Sequence, residues 1–317
     1  METLQFKNGD VLPAIGLGTW KSEPGEVYHA VIEAIKAGYR HIDCAAIYGN
    51  EPEVGEVLQK MITDGMVTRQ EIWITSKLWN SAHQPEDVKP ALVKTLQDLR
   101  LDYLDLYLVH WPVALRSGIT YPKDADDFLS LEEVPLIETW KALEACVKEG
   151  LVKHLGVSNF SIKKVKALLK EAEIPPVMNQ VEMHPYLQQN ALVAYCNQHG
   201  IHITAYSPLG SGDRPGRLKK ENDPQLFEDP TIREIADKHL CSMAQVMIGW
   251  AVKRGTAVIP KSVNPERIRQ NLAAANIPLD TEDMQKIAAL DKHYRFLNGS
   301  LWTIEGNPYS QATLWDE

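Results

Sequence analysis

Val88-Lys89-Pro90-Ala91-Leu92-Val93-Lys94-Thr95-Leu96-Gln97-Asp98-Leu99, followed by Leu106-Tyr107-Leu108-Val109, sets an amphipathic helical pattern before a short apolar run that stops at His110. The first stretch repeats its apolar positions at helical spacing, and the second has the length and composition of a buried strand. The same alternation continues in both directions. Upstream lie the strand-like runs Ala14-Ile15-Gly16-Leu17, His41-Ile42-Asp43 and Ile72-Trp73-Ile74-Thr75. Downstream come Leu155-Gly156-Val157, Met178-Asn179-Gln180-Val181, Ile201-His202-Ile203-Thr204-Ala205 and Ala257-Val258-Ile259, making eight runs in all. Helical patterns separate most of them, such as Val27 to Lys36 with apolar Val27, Ala30, Val31, Ala34 and Ile35. Asn264-Pro265 reads as an N-cap with proline at the first helical position, opening a helix toward Leu272.

Strands that alternate with helices pair in parallel, and eight such units predict a closed (β/α)8 TIM barrel. No linker or low-complexity tract divides the chain, so residues 1–317 are expected to form a single domain. The surplus over about 250 residues has several homes. They are an amino-terminal β-hairpin turning at Asn8-Gly9, long loops after the fourth and seventh strands at the carboxyl-terminal face, and a tail, 295–317, expected to close over the substrate site. A doubly wound open sheet is the rival, but Gly16-Leu17-Gly18-Thr19-Trp20-Lys21 lacks the third glycine of its usual fingerprint.

Composition narrows the class of partner. The 317 residues hold 33 Lys and Arg against 42 Asp and Glu, a net charge of −9, which argues against nucleic acid. No run approaches the roughly 18 apolar residues of a membrane helix, and no secretory pattern opens the sequence. Cys44, Cys146, Cys196 and Cys241 have no metal-finger spacing, and no His/Asp/Glu set has ligand spacing, so no metal is expected. A reduced, cytoplasmic monomer acting on a small molecule is the expectation.

In such a barrel the working groups stand at the carboxyl ends of strands. The second run ends in Asp43, followed by Tyr48; the third leads to Lys77; the fourth ends in His110. Each alone is more often structural than functional, but four from three consecutive strands converge. A tyrosine hydroxyl titrates near 10. The Lys77 ammonium is expected to lower that value, with Asp43 holding the lysine charged and His110 directing a carbonyl oxygen. The outcome is a general acid aimed at oxygen. A proton delivered to a carbonyl oxygen needs a hydride at its carbon, which implies a nicotinamide.

Gly38-Tyr39-Arg40-His41-Ile42-Asp43-Cys44-Ala45, Asp102 through Pro112 and Ile259-Pro260-Lys261-Ser262 resemble the three signatures of the aldo-keto reductases. Gly156-Val157-Ser158-Asn159-Phe160 and Ala205-Tyr206-Ser207-Pro208-Leu209-Gly210 are similar to further family segments, in the right order. The chain looks like the aldehyde and aldose reductase-like members, with a microbial cast. The resemblance implies a (β/α)8 barrel and a tetrad of Asp43, Tyr48, Lys77 and His110, with Tyr48 as proton donor. Histidine rather than glutamate at 110 favours carbonyl over carbon–carbon double-bond reduction, hence NADPH-dependent reduction of aldehydes and some ketones.

The resemblance also implies a cofactor site for NADPH. Gly18, Thr19, Trp20 and Asp43 fall near its reactive end, Ser158, Asn159 and Gln180 at the carboxamide, and Tyr206 with Ser207 against the ring. Leu209, Ser211 and Asp213 lie in a clasp over the pyrophosphate. Lys261, Ser262 and Arg267 match the 2′-phosphate set, Val263 and Asn264 are further cofactor contacts, and Gln270 and Asn271 fall at the adenine positions. Two cations beside a helix start suit a dianion. Gln270 departs from the glutamate common in the family. Trp20, Ile47, Trp79, His110 and Trp111 match the substrate pocket. The alternative is a family-like module that binds NADPH with structural or regulatory purpose and little turnover.

Overall fold

The periodic apolar face of 27–36 becomes helix α1, Glu26–Ala37, which buries Val27, Ala30, Val31, Ala34 and Ile35 against the sheet. In the computed structural model, which describes residues 2–316, eight parallel strands form one sheet in sequential order. They are β1 (Leu17–Gly18), β2 (His41–Asp43), β3 (Trp73–Leu78), β4 (Leu104–Val109), β5 (Val152–Ser158), β6 (Met178–Glu182), β7 (His202–Tyr206) and β8 (Ala257–Val258). The two ends of the sheet meet. Parallel bridges join Ile15 to Val258 and Gly18 to Lys261, and the Val258 amide donates to the Ala14 carbonyl at 2.7 Å. The eight-unit (β/α)8 reading therefore holds. The first strand is shorter than its apolar run, because Ala14 and Ile15 serve the seam rather than the β1–β2 ladder.

Every residue of β3 and β4 is buried, as expected where helices cover one face and the barrel interior fills the other. Inside, packing is tight enough to dictate size. A Cβ at Gly156 would lie 2.6 Å from Leu108 Cδ2 and 2.7 Å from the Met178 carbonyl oxygen. The outer helices follow in turn: α2 (Glu51–Thr63), α3 (Pro85–Leu99), α4 (Leu136–Lys148), α5 (Ile162–Leu169) and α6 (Asn190–Gln198). Two helices, α7 (Pro230–Lys238) and α8 (Met243–Lys253), stand between β7 and β8. After β8 come α9 (Pro265–Ala273), α10 (Thr281–Ala288) and α11 (Gln311–Trp315). Asn264 caps α9 as expected, its Oδ1 accepting from the amides of Glu266 and Arg267, each at 3.0 Å.

The amino-terminal hairpin pairs Thr3–Gln5 with Val11–Pro13 and plugs the barrel's lower end. Its Phe6 stacks on Trp73 and His154, with Leu4 and Leu12 in the same buried cluster as Leu106, Leu108 and Met178. The opposite rim carries the long loops and the segment from 295 onward. Among the described residues, no helix is long and apolar enough to cross a membrane. Glu317, part of the expected closing segment, lies outside the described residues.

Candidate active site at the carboxyl ends of the strands

Strand geometry brings the four strand-end groups together. Lys77, on β3, is buried behind the site, and its Nζ donates to Asp43 Oδ1 at 2.5 Å, to the Cys44 carbonyl at 2.8 Å and to Tyr48 Oη at 3.3 Å. A lysine in apolar surroundings loses charge unless paired. Burial opposes the Lys77 charge, yet Asp43 and Tyr48 hold its ammonium above the ordinary lysine value. The other carboxylate oxygen of Asp43 accepts from Gln180 Nε2 at 2.7 Å. Asp43 is thus held from β3 and β6 at once.

Tyr48 departs from the expectation that Lys77 would bring its pKa below the ordinary tyrosine value. Burial dominates, and the phenol is pushed up to about 12 even though Lys77 pulls it down. The ammonium limits a rise rather than producing a fall. His110 lies edge-on to Tyr48, ring centroids 6.0 Å apart, and burial with the Lys77 charge and His83 keeps its imidazole neutral, well below the usual histidine value.

Around this group opens a cavity of about 830 Å³. Asp43, Tyr48 and His110 line it, whereas Lys77 does not and acts from behind. Trp20, Ile47, Trp79 and Trp111 form its apolar side, with Trp79 edge-on to His110 at 5.2 Å. Gly18, Thr19, Ser158, Asn159, Gln180, Tyr206, Ser207 and Leu209 border the same space. Toward the far end are Ser211, Asp213, Lys261, Ser262, Val263, Asn264, Arg267, Gln270 and Asn271. Several of the polar groups are already engaged with one another. Asn159 Nδ2 donates to the His110 carbonyl at 3.0 Å, Tyr206 Oη donates to Asn159 Oδ1 at 2.7 Å, and Ser158 Oγ donates to the Gln180 carbonyl at 2.8 Å. Asn159 takes a left-handed backbone, φ 65°, to turn its amide into this network.

The far end concentrates positive charge in an acidic protein. Lys261 and Arg267 flank the start of α9, and among the described residues Arg267 has no ion-pair partner. Gln270, the departure noted above, donates to Glu266 Oε1 at 3.1 Å one turn earlier, so a carboxylate stands beside it. Three contributors escaped sequence reasoning. Lys21 reaches across the cavity to Asp213 at 2.7 Å and Ser211 at 3.1 Å, turning the loop after β7 into a bridged strap. Glu182, fully buried at the end of β6, accepts from the amides of Phe296 and Leu297 at 2.7 and 2.8 Å and so roots the carboxyl-terminal segment. Trp302, nearly fully buried, forms a wall 5.6 Å from both Trp79 and Trp111.

A cavity floor that sets a protonated phenol edge-on to a neutral imidazole, and extends to two cations at a helix start, has the chemistry to receive a polar small molecule with an anionic end. The aldo/keto reductase family pattern matches residues 14–292. The aldo/keto reductase slr0942 of Synechocystis is 55% identical over 317 residues, covering 100% of this chain and 97% of its own length. Human aldo-keto reductase family 1 member A1 is 50% identical over 300 residues, 94% of this chain and 91% of that protein. The solved aldose reductase of Schistosoma japonicum superposes with a TM-score of 0.87 at 39% identity, covering 98% of this chain and all of that one. With matches of this extent laid on the strand-end geometry, the chain belongs to the aldo/keto reductase family of oxidoreductases, whose general chemistry is carbonyl reduction with a nicotinamide cofactor.

Proposed function

We propose that the protein reduces aldehydes, and some ketones, to alcohols with NADPH, Tyr48 supplying the proton. The observation that carries this reading is the Asp43–Lys77–Tyr48 chain ending beside neutral His110 on the floor of an aromatic cavity. The residues also suit the cofactor: Lys261 and Arg267 place two cations beside the start of α9, where the positive end of the helix dipole favours a dianion such as a 2′-phosphate. Bound there, the nicotinamide would supply the hydride. Ser158, Asn159 and Gln180 would hold its carboxamide, Tyr206 would face its ring, and Lys21 with Asp213 would close over the pyrophosphate. Gln270 and Asn271 would meet the adenine.

The chain's own groups divide the remaining work. His110, neutral, offers a hydrogen bond that fixes the carbonyl oxygen without competing to ionise. Tyr48 remains protonated at neutral pH and gives its proton as negative charge develops on that oxygen. Lys77 compensates the charge then left on the phenol, and Asp43 keeps Lys77 in place. Trp20, Ile47, Trp79 and Trp111 exclude water and favour apolar substrate bodies. Residues 1–317 act as one barrel domain with 295–317 closing over the site, and the protein works as a cytoplasmic monomer; its four cysteines are all unpaired.

The test mixes protein, NADPH and 4-nitrobenzaldehyde and follows the nicotinamide absorbance. Loss of absorbance above a Tyr48→Phe control is expected. Equal rates for the two proteins would sink the enzyme reading and leave a cofactor-binding module.

A further inference from the structure

The segment that walls the cavity is fastened at a point outside the cavity. Leu297, Gly299, Ser300, Leu301 and Trp302 line the space, and the chain then folds back so that α11 packs on its own beginning. Leu314 sits so close to Gly299 that a Cβ there would meet its Cδ2 at 2.3 Å. Trp315 Nε1 donates to the Asn298 carbonyl at 2.8 Å, and its ring lies edge-on to Trp111 at 5.8 Å. The returning end thus backs the wall that faces substrate.

What holds that end is Lys164, on α5. Its ammonium donates to the Thr313 and Leu314 carbonyls at 2.6 and 3.0 Å and to Asp316 Oδ2 at 2.6 Å. A lysine so placed satisfies the carbonyls that a helix leaves open at its carboxyl end. Only a tenth of the Lys164 side chain is exposed, and Asp316 little more, so solvent screens the pair weakly. Ser161, the N-cap of α5, donates to the same Asp316 oxygen at 2.5 Å, and Lys163 adds a looser contact at 3.3 Å. Asp316 adopts φ 58°, a conformation uncommon outside glycine that these partners stabilise. Ser161 follows Asn159 by two residues, so the fastening point lies on the loop whose amide also holds the His110 backbone.

We infer that Lys164 is a specificity-determining positioning residue: by clamping 313–316 to α5 it keeps Trp302 and Trp315 against Trp111, and so sets the affinity for bulky aromatic carbonyl substrates. This rests on the carbonyl reductase reading for its kinetic arm. Substrates too small to reach the wall do not feel the clamp. The proposed cofactor contacts nearest the clamp, Ser158 and Asn159, are held by Gln180, His110 and Tyr206 and not by the 313–316 segment, so they do not feel it either.

The experiment compares Lys164→Met, Lys164→Arg and Asp316→Asn with the parent protein, using NADPH with 2-naphthaldehyde and with propanal. Lys164→Met should raise KM for 2-naphthaldehyde about tenfold, the equivalent of one charge-assisted hydrogen bond, while kcat and the KM values for propanal and NADPH stay within about twofold. Lys164→Arg should restore the parent values, and Asp316→Asn should reproduce the KM split if Lys164→Met does not fold. Acrylamide quenching of tryptophan fluorescence gives a readout independent of turnover and should rise in Lys164→Met. Equal KM changes for the two aldehydes, or none, would overturn the clamp. If the parent protein reduces neither aldehyde, the activity reading fails by itself, and unchanged quenching in Lys164→Met then decides against the clamp.

Discussion

At Tyr48, burial and charge pull in opposite directions, and burial prevails, holding the phenol up at about 12. A proton donor need not ionise in the resting protein; it must lose its proton more readily once the substrate oxygen becomes basic. Tyr48→Phe should lower kcat by roughly 10²- to 10⁴-fold, the usual worth of a positioned acid, with NADPH affinity measured by fluorescence titration nearly unchanged. Lys77 carries a heavier structural load. Lys77→Met leaves the Asp43 carboxylate with Gln180 as its remaining side-chain partner, and breaking a buried pair costs about 3–5 kcal/mol. Tm should therefore fall together with turnover; a variant with parental Tm and rate would refute both roles. Arg267→Ala should weaken NADPH about tenfold to a hundredfold and leave NADH nearly unaffected if, as proposed, the guanidinium meets the 2′-phosphate that only the former carries. Equal losses in competitive titrations would mean that the phosphate goes elsewhere.

The elements were legible wherever pattern and packing coincide. The α1 face predicted from spacing is the face buried, and the apolar runs at the start of β3 and the end of β4 read as strands because both faces are covered there. The strand-end residues were legible for a related reason: barrel topology places each of them on one rim. Long-range pairings were not. Lys21 meets Asp213 across 192 residues, and Glu182 meets the Phe296 amide across 114, so no local pattern signals either. Trp302 belongs to a loop with no period at all, and its role as a wall emerges only where the segment folds back on Trp79 and Trp111. The strap made by Lys21 carries its own prediction. Burial lowers the Lys21 charge preference, Asp213 restores much of it, and the pair spans the cavity. In Lys21→Ala the strap loses its far anchor, so NADPH release followed by stopped-flow fluorescence should quicken severalfold, about the effect of losing one partly exposed ion pair. An unchanged release rate would mean that the loop is held by other contacts.

Over the whole molecule, the acidic net charge of −9 says less about stability than do the three imidazoles whose protonation burial disfavours. Burial holds His41 down at about 4 and His83 at about 3, and it keeps His110 well below the usual value. Unfolded histidines titrate near 6.5. Below that pH the unfolded chain binds protons that the fold refuses, so stability is full above 6.5 and drains as the pH falls toward 4 and 3. Each such group contributes up to about 1.4 kcal/mol per pH unit in this window. Glu51 acts in the opposite sense. Burial raises its carboxyl to about 7, which weakens the fold as pH rises from 4.5 to 7, but it is one group against three. Tm should therefore drop on acidification from pH 6.5 to 4, and His83→Gln should flatten the slope; a flat parental profile would contradict the assignment.

The barrel is thin around its first and last strands. Its closure depends on β1 and β8, two residues each, fastened through Ala14, Gly16, Gly18 and Val258, while β3–β4 and β4–β5 share longer ladders. Lys261, bridged to Gly18, belongs both to this seam and to the proposed phosphate site. A bound NADPH would then act as a stitch across the seam that closes the barrel. Deuterium uptake at the Gly16, Gly18 and Val258 amides should slow on cofactor addition more than uptake in the β4–β5 ladder on the far side of the ring.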